Sequence, residues 1–226
     1  MQDFNPSNLC SDVTSGSLTD RRDNQIYTVA KINGNWWMTR NLAIGCNGSG
    51  SNYGSSMTSK RLTSTYSNVS DSWYTPTLSL DKNDNTSGCT ASDTSGCASY
   101  TTPRMKCGTT YGAYYNYAAA TAGTITGDSN STTATKDICP AGWKLPSRSN
   151  FQTIQSSTYM SAFKPLSTGG RYYYGSIVED YQGILYTTDA ASATNRYYYS
   201  YQGSGGLVVW NYQRIEGYYV RCIRSS

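Results

Sequence analysis

The stretch "QIYTVAKINGNWWMTRNL", residues 25–42, constrains the fold of this chain more than any other. "QIYTVAKI" alternates as a strand does, with Ile26, Thr28 and Ala30 on one side and Tyr27, Val29 and Lys31 on the other. "NGN" at 33–35 is a hairpin signal, because Asn and Gly accept the positive φ angles of a tight turn between twisted strands. "WWMTRNL" is then the return strand, and its paired Trp side chains are expected to seed the core.

A ring-built core is also what the composition demands. Only 37% of the 226 residues are hydrophobic and 14% are charged, but 22 Tyr and 5 Trp bring large buriable area. Long disorder is not expected, since disordered segments are poor in aromatics and rich in charge. The formal charge of +4 comes with no Lys/Arg cluster, so no nucleic-acid partner is expected.

There are seven Cys, no His and no C-x-x-C, so the usual zinc ligand sets are missing. With a polar, Lys-poor composition, most Cys read as disulfides of an oxidising compartment. Cys89 and Cys97 could close a small loop, and Cys139 with Cys222 would tie the middle of the chain to its last strand. Spacing alone leaves these pairs open. No apolar run approaches the ~20 residues that span a bilayer. "MQDFNPS" reads as a junction, so an export or anchoring segment is expected upstream, and with it an extracellular, cell-surface location. Any membrane association would run through that segment.

Along the chain, residues 1–17 read as a linker or arm, and 18–226 as a single domain. Residues 45–108, rich in Ser, Gly, Asn and Thr, read as long loops with short strands. "YGAYYNYAAATAG" at 111–123 reads as a helix, its Ala run favouring helix and Gly123 ending it. "SNFQTIQSSTYMSAF" gives a second helix, with Ser149 and Gln152 as capping box and Phe151, Ile154 and Thr158 on one face. "GILYTTD", "RYYYSYQ", "LVVW" and "GYYVRCIR" are strands. The predicted class is α+β, two helices flanking a mostly antiparallel sheet, with long irregular loops and disulfides.

Four motifs in order carry a family resemblance. "DRRDNQIY" at 20–27 with "WMTRNL" at 37–42 comes first, then "YGAYYNYAAA" from Tyr111. "CPAGWKLP" at 139–146 and "GYYVRCIR" at 217–224 follow. Together they resemble the Fibrobacter succinogenes major paralogous domain family. That resemblance implies a C-type lectin-like fold, with amino- and carboxyl-terminal strands paired, two flanking helices, a long loop region and a Cys139–Cys222 bridge. A close subgroup has Cys where this chain has Trp36, which leaves the partner of Cys10 open. Some proteins of this fold are variable proteins of diversity-generating retroelements, whose rewritten codons yield Tyr, Ser, Asn, Asp and Gly. Twelve of the 22 Tyr lie between residues 172 and 219, which fits a selected surface.

The aromatic clusters are the candidate site. Tyr and Trp give broad contact area for little conformational entropy, as in paratopes, and Ser, Gly and Asn add adaptable hydrogen bonds. The competing reading is sheet packing, but alternation prevents every member of a "YYY" run from being core. In "GYYVRCI", Tyr218, Val220 and Cys222 are assigned to the core, and Tyr219 and Arg221 to the other side. Segment 210–216 reads as a binding loop between strands, carrying Trp210, Asn211, Tyr212, Gln213, Arg214 and Glu216. Tyr197, Tyr199 and Tyr201 would form its neighbour, and Tyr172, Tyr174 and Gln202 extend the set.

"DKNDNTSG" at 81–88 spaces Asp81, Asn83 and Asn85 as a calcium loop does. Thr86 replaces the required Gly and Ser92 the required Glu, so a polar turn is preferred over Ca²⁺ and no cofactor is expected. Without His, and without a nucleophile or phosphate-loop motif, no enzyme is expected. The expected function is a surface-displayed module, adhesin- or receptor-like, binding a protein or glycan on another cell or phage. The alternatives are a structural cell-surface or pilus domain, and an enzyme of the formylglycine-generating type.

Overall fold

In a computed structural model, the structure describes residues 12–20, 24–44, 60–63, 77–80, 105–107, 111–121, 134, 137–140, 142–163, 171–173, 176–178, 183–190, 195–201, 207–213 and 217–225. The amino-terminal hairpin forms over the expected residues. β2 (Gln25–Ile32) and β3 (Asn35–Met38) pair antiparallel, with Ala30 opposite Trp37 and Lys31 opposite Trp36. Asn33 at φ 46° and Gly34 at φ 77° make the turn. β1 (Ser15–Asp20) pairs with β2 from Ser15 onward, so the ordered sheet begins inside the segment read as a linker. At the far end of the chain, β13 (Ile223–Ser225) pairs with β3, completing a four-stranded sheet in the order β1-β2-β3-β13.

A second sheet is built from β10 (Gly183–Ala190), β11 (Asn195–Tyr201) and β12 (Leu207–Gln213), all antiparallel. Residues 217–225 join the two sheets. Gly217–Tyr219 bridges to β7 (Ala113–Tyr115) on one side and to β10 on the other. Tyr218 and Tyr115 exchange backbone bonds of 2.9 and 2.8 Å, and the Tyr219 N–H donates to the Ile184 carbonyl at 3.0 Å. The Cys222 carbonyl then accepts from Met38 at 2.9 Å, on the way into β13.

The remaining strands are short antiparallel pairs. β4 (Lys60–Thr63) pairs with β5 (Thr77–Leu80), β6 (Met105–Cys107) with β7, and β8 (Arg171–Tyr173) with β9 (Ser176–Val178). Among the described residues, three short helices accompany them: α1 (Tyr117–Ala120), α2 (Arg148–Gln152) and α3 (Ser157–Phe163).

Parity along each strand sorts side chains into two cores. Tyr27, Val29, Trp36, Met38, Tyr115, Tyr186, Tyr218, Val220 and Cys222 belong to one cluster. Ile32, Trp37, Tyr114, Leu185, Tyr219 and Ile223 belong to another, with Phe151, Ile154, Met160 and Phe163 from the helical segment. Trp37 lies 5.3 Å from the Phe151 ring and 5.4 Å from the Phe163 ring. Each pair of sequence neighbours is thus split between the two faces of a sheet, and both faces are covered.

Two-sided cover explains several departures from expectation. Tyr219 and Arg221, placed opposite the core, are both buried because the second cluster closes over that side. Lys31 does hold the face of Tyr27 and Val29, opposite Trp36, but is itself exposed, and burial passes to Ile32 in the second core. Within "YGAYY", Ala113–Tyr115 is strand, and helix is confined to Tyr117–Ala120, because β6 and the bridge to Tyr218 claim Tyr115. The helical stretch after residue 147 is split in two. Its capping box is Ser147 with Asn150, whose side chain accepts the Ser147 N–H at 2.9 Å, and does not involve Ser149 and Gln152. Phe151 and Ile154 are buried as expected, but Thr158 is exposed.

Cys139 and Cys222 are disulfide-bonded, 83 residues apart in sequence. Closing a loop of that length removes about 4.5 kcal/mol of unfolded-state freedom in the chain-entropy account. Just before it, the buried Asp137 carboxylate accepts the N–H groups of Cys139 at 2.8 Å and Leu145 at 2.9 Å, which folds the proline-bearing loop around Trp143. The chain is therefore α+β, mainly antiparallel sheet with few short helices.

Candidate functional site

The outer sheet inherits its rigidity from β10. Besides the Tyr219 bond, the Tyr186 N–H donates to the Tyr219 carbonyl at 3.1 Å. The Tyr186 ring packs against Tyr218 at 4.8 Å and Tyr117 at 5.4 Å. The register slips between Tyr186 and Ala190, and that irregular stretch is tied down. Thr188 donates its N–H to the Pro146 carbonyl at 2.9 Å, and its own carbonyl accepts from the Tyr117 hydroxyl at 2.8 Å. The Asp189 carboxylate takes the Arg148 N–H. The first residue of β12 is held from the helical side by Gln155, whose Nε2 donates to the Leu207 carbonyl at 3.0 Å.

β12 lies at the outside of this sheet, next to β11 alone among the described strands. Its burial falls along its length. Leu207 is buried, Val208 and Val209 are half-buried, and Trp210 is 50% exposed. The other described tryptophans, Trp36, Trp37 and Trp143, are all at 2% or less. Exposing half of an indole forgoes burial worth roughly 1–2 kcal/mol, so Trp210 stands apart from the ring-built core.

The predicted site residues fall into distinct places. Trp210, Asn211, Tyr212 and Gln213 are in β12, so this part of the segment read as a loop is strand. Tyr197, Tyr199 and Tyr201 are in β11, opposite Asn211, Val209 and Leu207. Trp210 is instead opposite Tyr198, and Tyr212 opposite Arg196. Directly opposed residues in an antiparallel pair share a face, so the register separates Trp210 and Tyr212 from the three alternate tyrosines. Tyr172 is in β8, which pairs with β9 and not with the outer sheet. Tyr174, Gln202, Arg214 and Glu216 lie outside the described residues, as do Cys89, Cys97 and the candidate calcium loop at 81–88.

Sequence reasoning passed over Arg196 and Tyr198. The usable signal was parity: with Trp210 taken as the outward residue, register selects every second residue of β11, and "RYYYSY" then reads Arg196, Tyr198 and Ser200.

The buried Arg221 is a charge held inside the fold, between Asn41 and Phe163. Its Nε donates to Asn41 Oδ1 at 2.8 Å and its Nη1 to the Phe163 carbonyl at 2.6 Å. Its guanidinium sits 4.7 Å from the Phe163 ring centre. Burial pushes its pKa down from the ordinary guanidinium range to about 9, so it remains charged at neutral pH. These bonds join the end of α3, the loop after β3 and the chain linking the two sheets. Among the described residues, no three His, Cys, Asp or Glu side chains are grouped as a metal site, and no helix is long and apolar enough to cross a membrane. Comparison with protein-family models, curated proteins and solved structures yields no match.

Proposed function

We propose that this chain is a surface-displayed, non-catalytic ligand-binding module of C-type lectin-like fold, related to the Fibrobacter succinogenes major paralogous domain family and resembling the variable proteins of diversity-generating retroelements. The observation that carries the reading is Trp210, half exposed on the outer strand of a sheet anchored to a cross-linked core. A held backbone under a wide aromatic lowers the ordering cost of recognition. The pairing of β13 with β3 supports the lectin-like reading, as does the disulfide that joins the last two of the four motifs. The disulfide also supports an oxidising, extracellular location. Burial of Cys222 inside that bond supports a structural part for it over a reactive one.

The test is a binding screen of the folded chain against arrayed glycans and against surface proteins of bacterial cells and phage, with Trp210→Ala alongside. Saturable binding that the variant loses by ~30-fold or more, about 2 kcal/mol, is the expected result. Absence of any saturable ligand would favour the structural-domain alternative.

A further inference from the structure

We propose that recognition uses the sheet face on which the register sets Arg196 and Tyr198 of β11 beside Tyr212 and Trp210 of β12, and that its occupant is an acidic segment of a partner protein. This rests on the binding reading above and specifies which face binds and what it binds. The face is defined by Trp210, the described residue of β12 that is most open to solvent. Tyr198 is its register partner, and Arg196 is the partner of Tyr212 two residues further on. Strands lie about 4.8 Å apart and same-face residues repeat every second position, so these four residues occupy one contiguous block of the sheet.

On β10 both faces are committed to the core, since Ile184 and Tyr186, the register partners of Ser200 and Tyr198, are buried in the first cluster. The described part of the face therefore reaches solvent only toward β12, where Trp210 opens. The opposite face stays committed along β12 as well. Leu185 and Leu207 are buried in the second core cluster, and Val209 packs against it. Tyr199 is paired with Leu185 and Val209, and Tyr201 with Leu207. The alternate tyrosines therefore hold positions on the face that the described aliphatic residues dedicate to packing.

Charge selects the occupant. Within β10, β11 and β12 the sequence holds one basic residue, Arg196, and one acidic residue, Asp189. The Asp189 carboxylate is engaged by the Arg148 N–H at the α2 end. The block thus presents a guanidinium-bearing position among aromatic ones with no acidic residue in the same block. Trp, Tyr and Arg are the residues that dominate protein–protein hot spots, and an Arg in such a block is matched by a carboxylate.

The experiment selects a displayed library of random short peptides on the immobilised full chain, then measures the winners against variants. Selected peptides should be rich in Asp and Glu, and their binding should weaken with added salt. Tyr198→Ala and Arg196→Gln should each weaken binding by ~10-fold or more, and Tyr199→Phe should leave it unchanged. Hydroxyl-radical footprinting of the wild-type chain gives a second readout without substitutions, with Tyr198 and Trp210 expected to be protected by bound peptide and Tyr199 unaffected. Several results would overturn the assignment: protection of Tyr199 in place of Tyr198, peptides without acidic bias, no peptide above background, or binding of an acidic polysaccharide such as hyaluronate in their stead. The two proposals fail differently. If Trp210→Ala leaves all binding intact, the binding reading itself falls, whereas a Trp210-dependent ligand that ignores Tyr198 and Arg196 removes only the face and charge assignment.

Discussion

Arg221 shows how a single residue can hold three segments. Its partners, Asn41 and the Phe163 carbonyl, lie 180 and 58 residues away in sequence. Arg221→Met would strand both buried acceptors, so a loss of about 3 kcal/mol in urea unfolding is expected. The pH dependence has a definite sign. Above about pH 9 the unfolded chain still holds a proton at this position that the folded chain has released, so wild type should gain stability relative to Arg221→Met as pH rises from there. Below pH 9 the two stability curves should run parallel, and divergence there would contradict the assignment. Tyrosine hydroxyls do related work on a smaller scale. Tyr27 and Tyr115 accept the N–H groups of Ala43 and Ile44, each at 3.0 Å, and hold the loop leaving β3. Tyr115→Phe should cost about 1 kcal/mol by the same unfolding measurement.

At the scale of elements, two glycines with positive φ separate backbone freedom from packing. Gly34, at φ 77°, has no atom within 4 Å of an added Cβ, so Gly34→Ala should cost only the left-handed backbone term, about 1 kcal/mol. Gly112, at φ 111°, would put a Cβ 2.9 Å from Asn41 Cβ and 3.2 Å from the Leu42 carbonyl oxygen. Gly112→Ala should therefore cost about 3 kcal/mol or more. Calorimetry of both variants checks the order, and equal losses would contradict it. The same elements show what a sequence can and cannot reveal. β2 was readable because it is short-range: alternation and an Asn-Gly turn set its bounds. β7 was misread because "AYY" is buried on both faces and shows no alternation, and, besides its local pair β6, the strand it bridges to at Tyr218 lies about a hundred residues away. Segment 210–213 was misread as loop because β12 passes from buried to exposed and so loses its period midway. The membership of the site was half readable for the same reason. Trp210 stood out by residue type, but its neighbour depends on a register that no local pattern encodes.

Over the whole molecule, the last nine described residues, 217–225, connect both sheets, both cores and the disulfide. Cys222→Ser with Cys139→Ser should remove about 4 kcal/mol of stability, and reducing agent should lower the wild-type Tm toward that of the double variant. Loss of this tie should loosen the outer sheet as well, because β10 hangs on Tyr219 three residues before Cys222. Hydrogen exchange in β10 would show it. The outer sheet is thus a platform carried by the same segment that closes the fold.

The central claim, that this platform holds Trp210 outward to engage a ligand and not to stabilise the fold, is tested most directly by one paired measurement. Titration calorimetry of wild type and Trp210→Ala against the same selected ligand, with Tm recorded for each, should show a Kd weakened by ~30-fold or more and a Tm lowered by only a few degrees, the share of the buried half of the ring. An unchanged Kd, or a loss of affinity that comes with loss of the folded state at the assay temperature, would contradict it.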